Sequence, residues 1–302
     1  MIDPKIRIKM KINKIGNWKI LEELGNGGNG VVHKVQNENG EYGALKLLHK
    51  NHYKKPERIE RFISEIKAMN SCQDIEGILK VLDYDIPSTP STKSQIWFVS
   101  ELAIPMQNKI DGYTLENLVE ICVSYAKTLK KMHSRGIYHR DIKPDNLFFK
   151  DDKWFIGDFG LATFPDKPDL TKENEKLGPL FYMAPEMLLD AQNANGASAD
   201  VWSLAKLIWK LGTFQNYPIE GTLRQDETST QLSTYNNNPR AFLLEPILES
   251  ATSLNPKDRI TMEDFYLEID SWLYPKTNDK KSNVTNVDSI KEKISGMFLK
   301  AE

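Results

Sequence analysis

The order of apolar and polar residues divides this chain into a strand-rich first third and a helical remainder. Residues 5–12 alternate Lys5, Arg7, Lys9 and Lys11 with Ile6, Ile8, Met10 and Ile12, the two-residue period of a half-buried strand. An edge strand is the plain expectation there, and a basic face against an anionic surface the sharper one. Across residues 18–103 short apolar runs predict strands, with one helix over 58–70 whose Ile59, Phe62, Ile63, Ile66 and Met69 recur at helical spacing. From Leu115 the period changes, and Leu118, Ile121, Cys122, Tyr125, Leu129 and Met132 line one face of a helix ending near Gly136. Leu147-Phe148-Phe149 and Trp154-Phe155-Ile156 read as two short strands joined by a tight turn at Asp151-Asp152. Polar residues 86–95 form a loop whose Thr89-Pro90 step is a candidate phosphorylation site, and 213–240 is a polar segment suited to docking or to a plain loop. Residues 275–285 read as a linker. Beyond it Val287, Ile290, Ile294, Met297 and Phe298 predict a short amphipathic helix that packs back on the helical part or meets a partner through 287–299.

Composition narrows the class. The 302 residues, 40% apolar and 27% charged, suffice for a substantial core, and a net charge of -2 offers no basic field for nucleic acid. Cys72 and Cys122 are the only cysteines and fall in helical patterns, which argues against a disulfide framework and for a reducing compartment. No apolar run approaches the roughly 18 residues of a membrane span. The start Met1-Ile2-Asp3-Pro4-Lys5 lacks a signal peptide's apolar core, so a cytoplasmic location is expected.

The chemistry gathers at His139-Arg140-Asp141-Ile142-Lys143-Pro144-Asp145-Asn146, Asp158-Phe159-Gly160 and Ala184-Pro185-Glu186. The two short strands bring Asp141, Asn146 and Asp158 to neighbouring strand ends, so three oxygen ligands converge. Mg²⁺ prefers a few such oxygens plus substrate phosphates, while an unmetalled aspartate can take a hydroxyl proton. Phosphoryl transfer is the reading. Upstream lie Leu24-Gly25-Asn26-Gly27-Gly28-Asn29-Gly30-Val31-Val32, Ala44-Leu45-Lys46 and Glu65.

In order and spacing these motifs resemble the eukaryotic-type (Hanks-type) serine/threonine protein kinase family over residues 18–273. The resemblance implies an α+β, two-lobed fold. Residues 1–17 would be an extension with an extra strand, 18–103 a small antiparallel sheet lobe with one key helix, 104–274 a larger, mainly helical lobe, and 275–302 the linker and last helix. It further implies transfer of the γ-phosphate of ATP to protein serine or threonine with Mg²⁺ (Mn²⁺ as a substitute), and autophosphorylation. Lys46 would hold the α and β phosphates and Glu65, favoured over Glu60, would pin Lys46. Asp141 would take or orient the acceptor proton, Lys143 would face the γ-phosphate, and Asn146 and Asp158 would hold metal. Gly25, Asn26, Gly27, Gly28, Asn29 and Gly30 would cover the phosphates as a lid, made looser than usual by Gly28-Asn29 at its tip. Val32, Ala44 and Phe148 would sandwich adenine, the backbones of Glu101 and Ala103 would bond its edge, and Ser100 would be the gatekeeper. Met69, His139 and Phe159 would stack as a spine, with Glu186–Arg259 and Asp200 as scaffold.

Two residues pull apart on the acceptor. Lys143 matches serine/threonine kinases, whereas Gly178-Pro179 stands where those usually have Gly-Thr, which leaves dual specificity as the alternative. Arg140 beside Asp141 implies a phosphate on the activation segment: phospho-Thr171 would dock on Arg140, or Glu173 or Glu175 would supply the charge. A small-molecule kinase and a pseudokinase scaffold are the rivals. The first lacks the Ala-Pro-Glu segment, and no disabling substitution points to the second. The richness in Asn, Lys and Ile suggests a bacterial member.

Overall fold

A computed structural model describes residues 14–88, 94–165 and 181–275. The first part is a six-stranded antiparallel sheet built from β1 (Lys14–Ile15), β2 (Trp18–Asn26), β3 (Gly30–Gln36), β4 (Tyr42–Leu48), β5 (Val81–Asp85) and β6 (Trp97–Glu101), ordered β1-β2-β3-β4-β6-β5. Gly16 turns β1 into β2 at φ +54, where a Cβ would also meet the Trp97 ring at 2.9 Å. Alternation along the strands then assigns two faces. Leu45, Val35 and Val99 join Ile15, Trp18 and Trp97 in a closed apolar cluster on one face. The other face carries Val32 opposite Lys46 and Ala44 opposite Ser100.

Helix α1 (Pro56–Ser71) crosses between β4 and β5. It begins two residues before the expected 58 because Pro56 occupies its first turn, where a missing N–H costs nothing. Phe62, Ile66 and Met69 face inward, and Phe62 meets Phe98 of β6 with ring centroids 5.4 Å apart.

The second part is helical, with α2 (Leu115–His133), α3 (Pro185–Leu189), α4 (Gly196–Thr213), α5 (Glu245–Ala251) and α6 (Met262–Leu273). Thr114 caps α2 through a reciprocal box with Asn117. The helix stops at His133, and Gly136, at φ +70, closes the turn after it. Helix α4 is buried on nearly every side, as a central core helix must be. A small sheet of β7 (Ile104–Pro105), β8 (Leu147–Lys150) and β9 (Lys153–Ile156) lies between the parts. One apolar cluster runs from Phe62, Ile66 and Met69 through Ile78 and Ile156 to Leu129 of α2 and Leu204 of α4, so both lobes close on a common core. Cys72 and Cys122 are free and buried within it.

Among the described residues no helix is long and apolar enough to cross a membrane. The strand expected over 5–12, the Thr89-Pro90 step and the helix expected at 287–298 lie outside the described residues.

Candidate active site

The β8–β9 turn sets the site. Asp151 and Asp152 take φ 47 and 55, the paired left-handed conformation that tight hairpins need and that aspartate tolerates. Asn146 therefore ends immediately before β8 and Asp158 follows β9 by two residues, tied by the Gly157 N–H donating to the Asn146 carbonyl at 2.9 Å. Asn146 donates its amide to the Asp141 carboxylate at 2.9 Å and to the Asp141 carbonyl at 2.7 Å. Lys143 Nζ reaches the same carboxylate at 2.7 Å. Burial pushes the Asp141 pKa above the ordinary aspartate value, and Lys143 restrains the rise. The result is a carboxylate held by two donors on one oxygen, with the other free to accept a proton.

Lys46 reaches the cleft from β4 because it shares a face with Ala44 and Val32. Its ammonium lies 2.6 Å from Glu65 on α1 and 3.2 Å from Asp158. Burial opposes that charge, but the two carboxylates outweigh it and hold the pKa above the usual lysine range. Glu65, 2% exposed, is pushed up to about 7 by burial against the pull of Lys46. Asp158 opens to the cleft; despite partial withdrawal from water, Lys46 holds its pKa down to about 2. The lysine thus stays charged and the cleft-facing aspartate stays ionised. Glu60 plays no part in this pairing, so the choice of Glu65 agrees with the geometry.

The scaffold around these groups is anchored on Asp200 of α4. Its carboxylate accepts from the backbone N–H groups of His139 at 2.9 Å and Arg140 at 2.6 Å, and from the His133 ring at 2.9 Å. Arg140 has φ 67, a conformation uncommon for a side-chain-bearing residue, and the Asp200 bonds hold it there. Its guanidinium donates to the Ala191 carbonyl. Phe159 packs edge-on against His139, centroids 4.9 Å apart, and both rings are fully buried, with Met69 buried in the same apolar cluster as Phe159. Arg259, its guanidinium side chain closed to solvent, grips Glu186 through two bonds of 2.6 and 3.1 Å.

The lid differs from expectation in two respects. Gly25, Gly27 and Gly28 face open space, but a Cβ on Gly30 would lie 2.4 Å from the Leu47 carbonyl oxygen, so Gly30 is demanded by the sheet itself. The tip also has two side-chain partners that the sequence did not indicate. Arg58 on α1 donates to the Asn29 side chain at 3.0 Å, and the His49 ring to the Gly27 carbonyl at 2.9 Å. Asn26 ends β2 beneath this loop. In the adenine region Val32, Ala44, Ala103 and Phe148 are half-buried, and Ser100 is buried opposite Ala44. The Glu101 N–H is spent on the Lys80 carbonyl at 3.0 Å, and the Ser100 hydroxyl donates to the Glu101 carbonyl at 3.5 Å.

Mg²⁺ uses one or two carboxylates and completes its shell with phosphate and water. Among the described residues no cluster of three or more metal-binding side chains occurs, and the pair Asp158 and Asn146 suits an ion of that kind. Thr171, Glu173, Glu175 and Pro179 lie outside the described residues. Thr163 is locked by a reciprocal backbone pair with Tyr138 at 2.9 and 3.0 Å. His133, His49, Arg58 and Gly157 were not singled out from sequence. Their partners are remote along the chain, and no local pattern announces them.

The chain matches the protein kinase domain model over residues 18–268. It is 26% identical over 195 residues to the serine/threonine-protein kinase AfsK of Streptomyces coelicolor, covering 65% of this chain and 24% of AfsK. Against mitogen-activated protein kinase 6 of Oryza sativa it is 30% identical over 219 residues, 70% of this chain and 57% of the relative. Against the dual specificity protein kinase TTK of Mus musculus it is 26% identical over 273 residues, 82% of this chain and 30% of the relative. The chain therefore spans between about a quarter and somewhat over half of these relatives' lengths. With a family match over most of its length and both lobes of the fold in place, the chain belongs to the eukaryotic-type protein kinase domain family.

Proposed function

We propose that this chain is an active protein serine/threonine kinase using ATP and Mg²⁺, with residues 18–103 as its nucleotide lobe and 104–274 as its acceptor lobe. The observation that carries the reading is the pair of constellations across one cleft: Lys46 between Glu65 and Asp158, and Asp141 held by Lys143 and Asn146. When bound, the nucleotide and its metal supply a transferable phosphoryl group and neutralise its charge. Lys46 grips the nucleotide's phosphates while Glu65 fixes its direction, and Asp158 and Asn146 hold the metal. Asp141 orients the acceptor hydroxyl and receives its proton, a role worth roughly 10²- to 10⁴-fold. Lys143 keeps Asp141 ionised and offers its charge where the transferred group develops negative charge.

Lys143 also favours serine or threonine as the acceptor, and AfsK carries that specificity in its name, while TTK carries the dual specificity that is the alternative. Autophosphorylation on Thr171, read by Arg140, would activate the chain. Two free, buried cysteines suit a reducing, cytoplasmic setting, with protein substrates as partners and residues 287–299 as a further contact. The test incubates the purified chain with labelled ATP, Mg²⁺ and a protein acceptor. Lys46→Ala, Asp141→Asn and Asp158→Ala should each lower transfer by at least about a hundredfold with unfolding midpoints unchanged. Full activity in Asp158→Ala would refute the assignment.

A further inference from the structure

Lys206 lies in the middle of α4, 1% exposed, with no carboxylate among the described residues within ion-pair distance. Its Nζ donates to the Ile219 carbonyl at 2.8 Å and to the Gly221 carbonyl, and sits 5.2 Å from the centre of the Trp202 ring. A lysine this deep is costly, and an apolar residue would pack as well, so these contacts need a reason beyond packing. The carbonyls it holds belong to residues 214–231, which form neither helix nor strand. Buried backbone there must be satisfied by side chains, and Trp209, further along α4, does the same for the Thr230 carbonyl at 2.7 Å.

That segment reaches the acceptor side of the cleft. Tyr217 stacks on Phe181 with centroids 5.0 Å apart and planes at 30°, yet remains 64% exposed. Phe181 and Tyr182 lead into Ala184-Pro185-Glu186, and Ser203, one turn before Lys206 on α4, holds the Tyr182 carbonyl at 2.8 Å. Burial, with Asp145 and Tyr217 close by, raises the Tyr182 hydroxyl above the usual tyrosine range. Asp145 follows Asp141 by four residues, so Tyr182, close to both Asp145 and Tyr217, links the Tyr217–Phe181 pair to the loop that carries Asp141.

Resting on the kinase reading above, we propose that Lys206 is a positioning residue for the protein acceptor: it holds segment 217–221, and with it the Tyr217–Phe181 platform on which the acceptor chain lies. Burial pushes the Lys206 pKa down to about 7, with Glu220 pulling the other way. The other charged groups near it are Arg259, 5.0 Å from the same Trp202 ring, and Lys210, one turn along α4. Hydrogen bonds from an ammonium are roughly twice as strong as those from an amine. The grip is therefore tight below neutral pH and relaxes above it.

The test measures KM for myelin basic protein, KM for ATP and kcat from about pH 6 to about pH 8. In the wild-type chain the acceptor KM should rise about fivefold across that range, as charge-assisted bonds are lost. Lys206→Met should show the raised acceptor KM at every pH, with ATP KM and kcat within about twofold of wild type. Tyr217→Ala, altered on an exposed ring, should raise acceptor KM as well. A wild-type acceptor KM that does not change with pH overturns the proposal, as does a Lys206→Met chain in which ATP KM and kcat change as much as acceptor KM. Should Lys206→Met fail to fold, the wild-type pH profile and Tyr217→Ala decide. A wild-type chain that phosphorylates no protein refutes the kinase reading, and this inference with it.

Discussion

Replacing Gly30 by alanine should damage the fold, whereas the same change at Gly25 or Gly27 should damage only nucleotide binding. At Gly30 the new Cβ would stand 2.4 Å from the Leu47 carbonyl oxygen, 3.1 Å from its carbon and 3.6 Å from Leu48 Cα, where ordinary contact begins near 3.4 Å. All three neighbours are backbone of β4, and Gly30 pairs with Leu48 across the β3–β4 ladder, so no side chain can swing aside. The strands must part by about 1 Å, an overpacking that costs about 1–3 kcal/mol. In a domain of this size that lowers Tm by roughly 2–12 °C. Gly25 has no atom within 4 Å of an added Cβ, and Gly27 only the Gly30 carbonyl oxygen at 4.0 Å. Alanine there should leave Tm within about 2 °C, since surface changes stay within about 0.5 kcal/mol. Thermal unfolding without nucleotide, beside ATP KM for each variant, separates the two effects. A Gly30→Ala chain that melts with wild type would show that the ladder does not hold Gly30 as described.

Glu186→Ala leaves the Arg259 guanidinium buried without its carboxylate, and urea unfolding should register a loss on the order of 3–5 kcal/mol; a loss below about 1 kcal/mol would mean the pair carries no structural weight. Burial raises the Asp141 pKa, and the base works only as the carboxylate, so the acid limb of kcat should fall at higher pH than for an ordinary aspartate. Lys143 holds that pKa down, so in Lys143→Met the limb should move to still higher pH, and an unmoved limb would remove Asp141 as the titrating group. Ser100 is small and buried behind the nucleotide strand, so bulky purine-like inhibitors should bind the wild-type chain and be excluded from Ser100→Phe; equal inhibition would displace Ser100 from that wall.

Much of this molecule is legible from local pattern, and the reason is that its chemistry sits on short-range structure. The Asp151-Asp152 hairpin is specified by six apolar residues and two aspartates that tolerate positive φ, and it aligns Asn146 with Asp158. Helices α1 and α2 follow from apolar spacing that a 3.6-residue period turns into one face. Lys46 could be placed in a strand, and its need for an acidic partner followed from burial. What no local pattern determines is where distant segments meet. The choice of Glu65 over Glu60 depends on how α1 is rotated against β4, which Phe62 and Ile66 decide by packing. The tie of Arg58 to Asn29 spans 29 residues and is invisible in the Gly28-Asn29 tip taken by itself. Gly30 looks like its sister glycines in sequence and is distinguished only by the β4 backbone lying against it. Lys206 reads as one polar residue in an apolar helix until segment 214–231 is seen to end on its ammonium. Sequence alone singled out the candidate reacting groups because these are set by residue type and near neighbours. Tertiary structure decided which of them are held, and how tightly, because burial and partners arise only when remote segments close on one another.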